Sequence, residues 1–185
     1  AFRLPNLGYS EFQGDEAVIL QRAAQALEGD DTELFLHQKG PVEILVPMSV
    51  WSLTGTITEV QARLPFAAMG LVSVLSVALL ATRWFGSGTG WVAGLLTAIG
   101  GLLIAFSRIV QYQSIVVAMG ALAVLAALDY ERDRRLATLL QVAAFLAFGL
   151  LAHYDAVLVV PVVAWVLGRA WLSQPAHRRA LLGHV

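Results

Sequence analysis

The chain has 185 residues, of which 58% are hydrophobic and only 14% are charged, and its mean hydropathy is +0.71. Soluble domains carry about a quarter charged residues, so this composition excludes a soluble enzyme, a disordered chain and a nucleic-acid-binding module. Cysteine is absent, which excludes a disulfide framework and a cysteine-based metal site. The composition therefore predicts an integral, multi-pass membrane protein.

Charge is distributed unevenly along the chain. Residues 1–63 hold four basic and nine acidic side chains, whereas residues 64–185 hold eight basic and four acidic ones. Such asymmetry indicates that the two parts lie in different environments. We predict an extracytoplasmic region (1–60), a transmembrane helical bundle (61–172) and a cytoplasmic tail, or the start of a connection to further helices (173–185).

The acidic region predicts two amphipathic helices. The first follows from GDEAVILQRAAQALEG, because Asp15 stands where a carboxylate stabilises free backbone N–H groups and Gly29 stands where helices commonly stop. Its predicted apolar side chains are Val18, Ile19, Ala23, Ala24 and Leu27. The second helix begins at Pro41 and ends near Gly55. It is short for a membrane span, and its Trp51 favours the headgroup level.

The rest of the chain predicts membrane spans. The uncharged stretches between Arg63 and Arg83, Arg83 and Arg108, and Arg108 and Asp129 contain 19, 24 and 20 residues. A helix needs about 20 apolar residues to cross a bilayer. The sequence therefore predicts an all-α, polytopic protein with about five transmembrane helices. These spans cover approximately 64–82, 88–107, 111–128, 136–152 and 155–171.

Positive charge accumulates at one end of these spans. The residues are Arg83, Arg132, Arg134, Arg135, Arg169, Arg178 and Arg179. The positive-inside rule predicts that this end and the C-terminus are cytoplasmic, which places residues 1–60 outside. Translocation of this polar region requires a preceding signal, so we expect an upstream transmembrane helix in the full-length protein.

The same topology gathers polar side chains on the predicted outer face. They are Asp15, Glu16, Lys39, Arg108, His153, Tyr154 and Asp155. Ionisable groups near membrane depth are costly, so they tend to be paired or functional. A cleft lined by carboxylates and cations suits a phosphate headgroup whose lipid tail stays in the bilayer.

Structural interpretations of these residues compete with the functional one. The acidic pair is also explained as helix N-terminal acids, Lys39 as a solvated loop charge and Arg108 as the end of a span. The His-Tyr-Asp turn is also explained as a polar pair between two helices. Arg63 is interpreted as a residue that snorkels to the membrane interface.

Residues 7–70 carry a resemblance to a known family. In order, they contain LGYSEFQGDEAVILQRAAQALEGDD, HQKGPVEILVPMSVWSLTG and EVQARLPFAAMG. This order of an Asp-Glu pair, a Lys-Gly-Pro stretch, a helix ending at Gly and an Arg-Leu-Pro motif resembles the opening of GT-C fold glycosyltransferases. The similarity lies in the branch with protein O-mannosyltransferases and aminoarabinose transferases, and it continues more loosely to HYDAVLVVP.

The resemblance implies an inverting enzyme of a prokaryotic plasma membrane. It would move a sugar from a polyprenyl-phosphate carrier to an acceptor on the outer side. Asp15 and Glu16 would be catalytic, with Asp15 as general base. Lys39 and Arg108 would stabilise the departing phosphate, and His153, Tyr154 and Asp155 would contribute to substrate binding.

The resemblance also implies the partners. They are membrane lipid, the lipid-linked sugar, an acceptor protein, lipid or glycan, and other subunits of a membrane complex; nucleic acid is not among them. No cofactor is identified by the sequence, and a divalent cation is one candidate.

Two positions depart from the family pattern. Val18 stands where aminoarabinose transferases often have a basic residue, and Gln113 stands where they often have an acid. The missing acid at Gln113 supports an alternative hypothesis, in which the chain is a non-catalytic, GT-C-derived membrane subunit that binds lipid or packs within a larger complex.

Overall fold

The computed structural model describes residues 3–12, 14–32, 34 and 39–173, and its regular elements over these ranges are all helices. They are α1 (Asp15–Leu27), α2 (Val42–Thr54), α3 (Glu59–Phe85), α4 (Ser87–Ile99), α5 (Gly101–Phe106), α6 (Gln113–Asp133), α7 (Leu136–Ala152) and α8 (Val160–Leu172), with a 3-10 helix at Tyr154–Val159. The prediction of an all-α protein is confirmed.

Both predicted helices of the acidic region are present. The chain leaves α1 through Gly29 at φ +101°, and α2 ends at Gly55 in the left-handed conformation with φ +71°. Both backbone conformations favour glycine. Pro41 caps the start of α2, where its missing N–H is not needed.

The buried face of α1 differs in part from the predicted one. Its buried side chains are Glu16, Ile19, Leu20 and Ala23. The prediction was wrong at Val18 and Leu27, which are exposed. Residues three and four apart share one helix face, and the face that includes Ile19 and Ala23 also includes the acidic Glu16. A hydrophobic pattern cannot select a face that buries a carboxylate.

Three of the five predicted spans correspond to segments long and apolar enough to cross a membrane: Glu59–Phe85, Gln113–Asp133 and Tyr154–Leu172. The predicted 136–152 span is the 17-residue helix α7. The predicted 88–107 span is instead two helices, α4 and α5. The chain breaks at Gly100, whose ψ of 109° is not helical.

Helix α3 begins five residues before the predicted span. Thr58 and Gln61 form a capping box: the Gln61 N–H donates to Thr58 Oγ1 at 3.3 Å, and the Thr58 N–H donates to Gln61 Oε1 at 2.9 Å. The box satisfies backbone donors that a helix start otherwise leaves free. Arg63 therefore lies inside α3 rather than ahead of it.

Helix α6 is the centre of the bundle, and it packs against α3, α7 and α8. Its buried face is rich in alanine, which allows neighbouring helix backbones to approach closely. Toward its start, α6 shares a hydrophobic core with α1, α2, the start of α3 and the end of α7. Helices α1 and α2 therefore pack onto the bundle through a common core.

The arginine-rich connections meet at the opposite end of the bundle. Their side-chain contacts there are Arg83 with Asp129, Arg169 with Glu131 at 2.7 Å, and Arg134 with Ser173 at 2.8 Å. Arg178 and Arg179 lie outside the described residues. The predicted grouping of the described arginines at one end agrees with these contacts, while the side of the membrane that this end faces stays a prediction.

Helices α3 and α4 form a tight antiparallel pair through small residues. A Cβ atom at Gly90 would lie 1.8 Å from Thr82 Oγ1 and 2.9 Å from the Ala78 carbonyl oxygen. A Cβ at Gly94, one turn further, would lie 2.9 Å from Ala78 Cβ. Glycines spaced by four residues therefore set the distance between these helices, as in membrane helix pairs generally.

We expect Gly90→Ala to destabilise the protein by about 1–3 kcal/mol, the usual effect of overpacking. Gly88→Ala is the matched control, because a Cβ there meets nothing within 4 Å. Thermal unfolding in detergent should show a lower Tm for the first variant and an equal or higher Tm for the second. Equal Tm values would contradict the close helix contact.

Candidate active site

Asp15 presents an accessible carboxylate at the start of α1. Its side chain is 64% exposed, and Oδ2 lies 3.2 Å from Lys39 Nζ. The Gln111 side-chain amide also donates to Oδ2, at 3.4 Å. The structure therefore brings together Asp15 and Lys39, which are separated by 24 residues in sequence.

Glu16 lies next to Asp15 in sequence but points into the protein. Its carboxylate accepts hydrogen bonds from Arg63 Nε at 2.8 Å and Arg63 Nη2 at 2.7 Å, and from the Val110 N–H at 3.0 Å. Successive residues of an α-helix point about 100° apart, so one member of the pair faces solvent and the other is buried. The two carboxylates thus have different environments.

Arg63 is completely buried, so the interpretation that it snorkels to the interface was wrong. Besides Glu16, its guanidinium donates to the carbonyl oxygens of Leu7 at 2.7 Å and Ser10 at 3.0 Å. The planar, five-donor guanidinium suits this mixed set of acceptors. Arg63 therefore fastens the N-terminal segment, residues 3–12, to α1 and α3.

Arg108 lies in the loop between α5 and α6 and also contacts the N-terminal segment. It donates to the carbonyl oxygens of Pro5 at 2.8 Å and Asn6 at 3.0 Å, and its guanidinium carbon lies 5.4 Å from the centre of the Tyr9 ring. In this structure Arg108 holds the N-terminal segment. Its predicted contact with a substrate phosphate stays a prediction.

Three carboxylates hold the same loop, Ser107–Tyr112. Glu16 accepts from the Val110 backbone N–H, Asp15 from the Gln111 side-chain amide, and Glu43 of α2 from the Tyr112 backbone N–H at 3.2 Å. Glu43 is completely buried. The loop conformation, and with it the start of α6, therefore depends on acids from α1 and α2.

The predicted His-Tyr-Asp turn joins this site through aromatic stacking. The His153 and Tyr112 rings are parallel within 4°, with centroids 3.6 Å apart. His153 Nδ1 lies 3.0 Å from the Asp155 backbone N, which donates to it, and 3.2 Å from Asp155 Oδ2. His153 is buried, whereas Tyr154 and Asp155 are substantially exposed. Burial, followed by the nearby Asp155 charge, raises the pKa of Tyr112.

Gly40 brings Lys39 to the same place. Its φ is +143°, and a Cβ there would lie 2.3 Å from the Leu151 carbonyl oxygen, at the end of α7 and just before His153. Only glycine allows this approach of two backbones. The Lys-Gly-Pro stretch therefore packs directly against the helix that ends at the His-Tyr-Asp turn.

The structure thus gathers six of the seven predicted residues near two others, Glu43 and Tyr112, that sequence reasoning missed. Arg108 lies in the loop that contacts this site, and its own side chain contacts the N-terminal segment. A sequence signal for Glu43 existed, because an isolated acid in the first turn of an apolar helix is costly unless it has a partner. No comparable signal distinguishes Tyr112. The catalytic and binding roles of all these residues stay predictions.

A metal ion has no evident ligand set here. Within residues 3–12, 14–32, 34 and 39–173, no group of three or more His, Asp or Glu side chains is arranged to hold one. The divalent cation considered from the sequence stays a prediction.

The chain matches the family model described as dolichyl-phosphate-mannose-protein mannosyltransferase over residues 39–183, and it belongs to this GT-C family. The predicted resemblance to GT-C glycosyltransferases is therefore confirmed, and the protein is a membrane protein of a mannosyltransferase-like family. Lys39 is the first matched residue, whereas Asp15 and Glu16 precede the match. No curated protein and no solved structure matches the chain significantly.

We expect Glu16→Gln to destabilise the protein by about 3–5 kcal/mol, because it leaves the buried Arg63 charge without its counter-charge. Glu28→Gln, at the exposed opposite end of α1, is the matched control and should leave the Tm unchanged. Thermal unfolding of both variants measures the difference. A similar Tm for the two would mean that the buried ion pair contributes little.

Gly40→Ala should destabilise the protein more than Gly29→Ala, by about 1–3 kcal/mol. Both glycines have positive φ, but a Cβ at Gly29 meets nothing within 4 Å. The control therefore carries the backbone strain without the overlap with Leu151. Comparison of the two Tm values isolates the overlap, and equal values would refute it.

Proposed function

We propose that these residues form part of the active site of an inverting glycosyltransferase that moves a sugar from a polyprenyl-phosphate carrier to an acceptor hydroxyl. The observation that carries the proposal is the exposed Asp15 carboxylate, 3.2 Å from Lys39 Nζ, beside a buried Glu16 that is fully engaged by Arg63. A general base and a cation for phosphate thus meet at one end of a membrane-helix bundle, in a chain of a mannosyltransferase family.

Asp15 is the proposed general base. A base must reach the proton that it removes, by direct hydrogen bond or through one water, and Asp15 is accessible whereas Glu16 is not. Glu16 is then a positioning residue: through Arg63 and Val110 it sets the start of α1 and the loop that contacts Asp15.

Lys39 is the proposed contact for the donor phosphate. Its flexible four-carbon stem carries a compact charge, its Nζ already lies 3.2 Å from Asp15 Oδ2, and its side chain is one-third exposed. When donor binds, Lys39 exchanges the Asp15 carboxylate for the phosphate. This exchange frees Asp15 for the acceptor and places positive charge where negative charge develops on the leaving group.

A groove along α6 suits the lipid chain of the donor. It has a volume of about 420 Å³ and runs beside Val116, Gly120 and Val124, with Asp155 as the charged residue of its lining. An apolar groove that begins at the polar turn would hold a lipid tail while its headgroup remains near Lys39. In this proposal Asp155 accepts hydrogen bonds from the sugar or the acceptor, and the exposed Tyr154 hydroxyl donates or accepts one.

In the proposed reaction, the acceptor oxygen attacks the anomeric carbon on the face opposite to the phosphate. The bond between the anomeric carbon and the phosphate oxygen breaks, and its electron pair leaves with the phosphate. The acceptor proton passes to the Asp15 carboxylate. The positive-inside prediction places this site on the outer side of the membrane.

The test is transfer from polyprenyl-phosphate mannose by the full-length protein. Asp15→Asn should lower kcat about 10²- to 10⁴-fold, the usual contribution of a general base. Asp31→Asn, an exposed acid in the turn after α1, is the matched control and should retain full activity.

Two outcomes would contradict the proposal. Full activity of Asp15→Asn would remove Asp15 as the base. Failure of the wild-type protein to transfer a sugar from any polyprenyl-phosphate donor would support the non-catalytic subunit instead.

A further inference from the structure

A small internal cavity lies at the junction of the N-terminal segment, α3 and the first turn of α6. Its volume is about 10 Å³, and its lining includes Arg3, Gln113 and Ser114. Each of these residues has one buried polar atom without a hydrogen-bond partner: Arg3 Nε, Gln113 Oε1 and Ser114 Oγ. Buried polar atoms are nearly always paired, so three unpaired atoms around one cavity require an explanation.

Arg3 brings a charged side chain to this cavity, whose wall also includes the apolar side chains of Leu103, Phe106 and Val117. Its side chain is 2% exposed. Nη1 donates to the Ala98 carbonyl and Nη2 to the Thr97 carbonyl, both at 2.8 Å. These carbonyls belong to the C-terminal end of α4, where the helix dipole favours a positive charge. The contacts satisfy two edges of the guanidinium and leave the Nε–H for the cavity.

We propose that this cavity binds one structural water molecule. The water accepts hydrogen bonds from the Arg3 Nε–H and the Ser114 hydroxyl, and it donates one to Gln113 Oε1. A cavity of about 10–15 Å³ holds one water, and buried waters make about three hydrogen bonds. The atom set contains both a donor and an acceptor, which suits water better than an anion.

The water site links the N-terminal segment to the residues next to the candidate active site. Gln113 directly follows Tyr112, which stacks on His153. The water therefore ties Arg3, which is fastened to α4, to the start of α6. Gln113 serves as a neutral acceptor for this water.

Substitution of Ser114 distinguishes a hydrated cavity from a dry one. In a hydrated cavity, Ser114→Ala in the full-length protein removes one partner of the water, and we expect a lower Tm. In a dry cavity the same change removes an unpartnered buried hydroxyl, which leaves the Tm unchanged or raises it. Ser76→Ala is the control, because its buried hydroxyl already donates to the Val72 carbonyl and lies outside the cavity.

A high-resolution structure of the full-length protein, prepared in bromide, tests the occupant directly. Density within hydrogen-bond distance of all three atoms, without anomalous bromide signal, would support the water. A bromide peak at this position would overturn it in favour of an anion. Absence of density here, in a map that shows other internal waters, would also overturn it.

Discussion

The buried ion pair between Glu16 and Arg63 is the interaction on which the rest of the site depends. Arg63 sits inside α3, and its guanidinium binds α1 through Glu16 and the N-terminal segment through the Leu7 and Ser10 carbonyls. Glu16 in turn holds the Val110 N–H of the loop before α6. Desolvation of two charges is offset only when their remaining donors and acceptors are satisfied, and here nearly all of them are.

This pair also explains why the adjacent acids Asp15 and Glu16 have different environments. The buried Glu16 fixes the rotation of α1 about its axis, and that rotation turns Asp15 outward toward Lys39. Lys39 is held independently, because Gly40 packs on the backbone at the end of α7. The base and the cation of the proposed reaction therefore stand on separate, rigid supports, which is what a preorganised site requires.

Much of the fold could be predicted from the sequence, whereas the geometry of the site could not. Long uncharged stretches and the glycine and proline stops predict α1, α2, α3, α6 and α7, although α3 begins at Glu59 and α6 ends at Asp133, both beyond the predicted spans. The break at Gly100 could not be predicted, because a glycine in an apolar run is also tolerated within membrane helices. The burial of Arg63 could not be predicted for a different reason. Its partners are backbone carbonyls and a residue 47 positions away, and a local sequence pattern does not show contacts at that separation.

The loop Ser107–Tyr112 shows how charge, together with the hydrophobic packing of Val110, sets the shape of this end of the bundle. The apolar core beneath it positions α6 along its length and takes up Val110 of the loop, but apolar contacts leave the polar groups of the loop to be satisfied by other partners. Carboxylates from Asp15, Glu16 and Glu43 do so by each accepting from a successive loop residue. Asp15 is both a loop contact and the proposed base. A change in its partners on substrate binding would therefore change its hydrogen bond to Gln111 of the loop. The proposed exchange of Lys39 from Asp15 to phosphate would therefore couple donor binding to the position of Tyr112 and the His153 turn stacked on it.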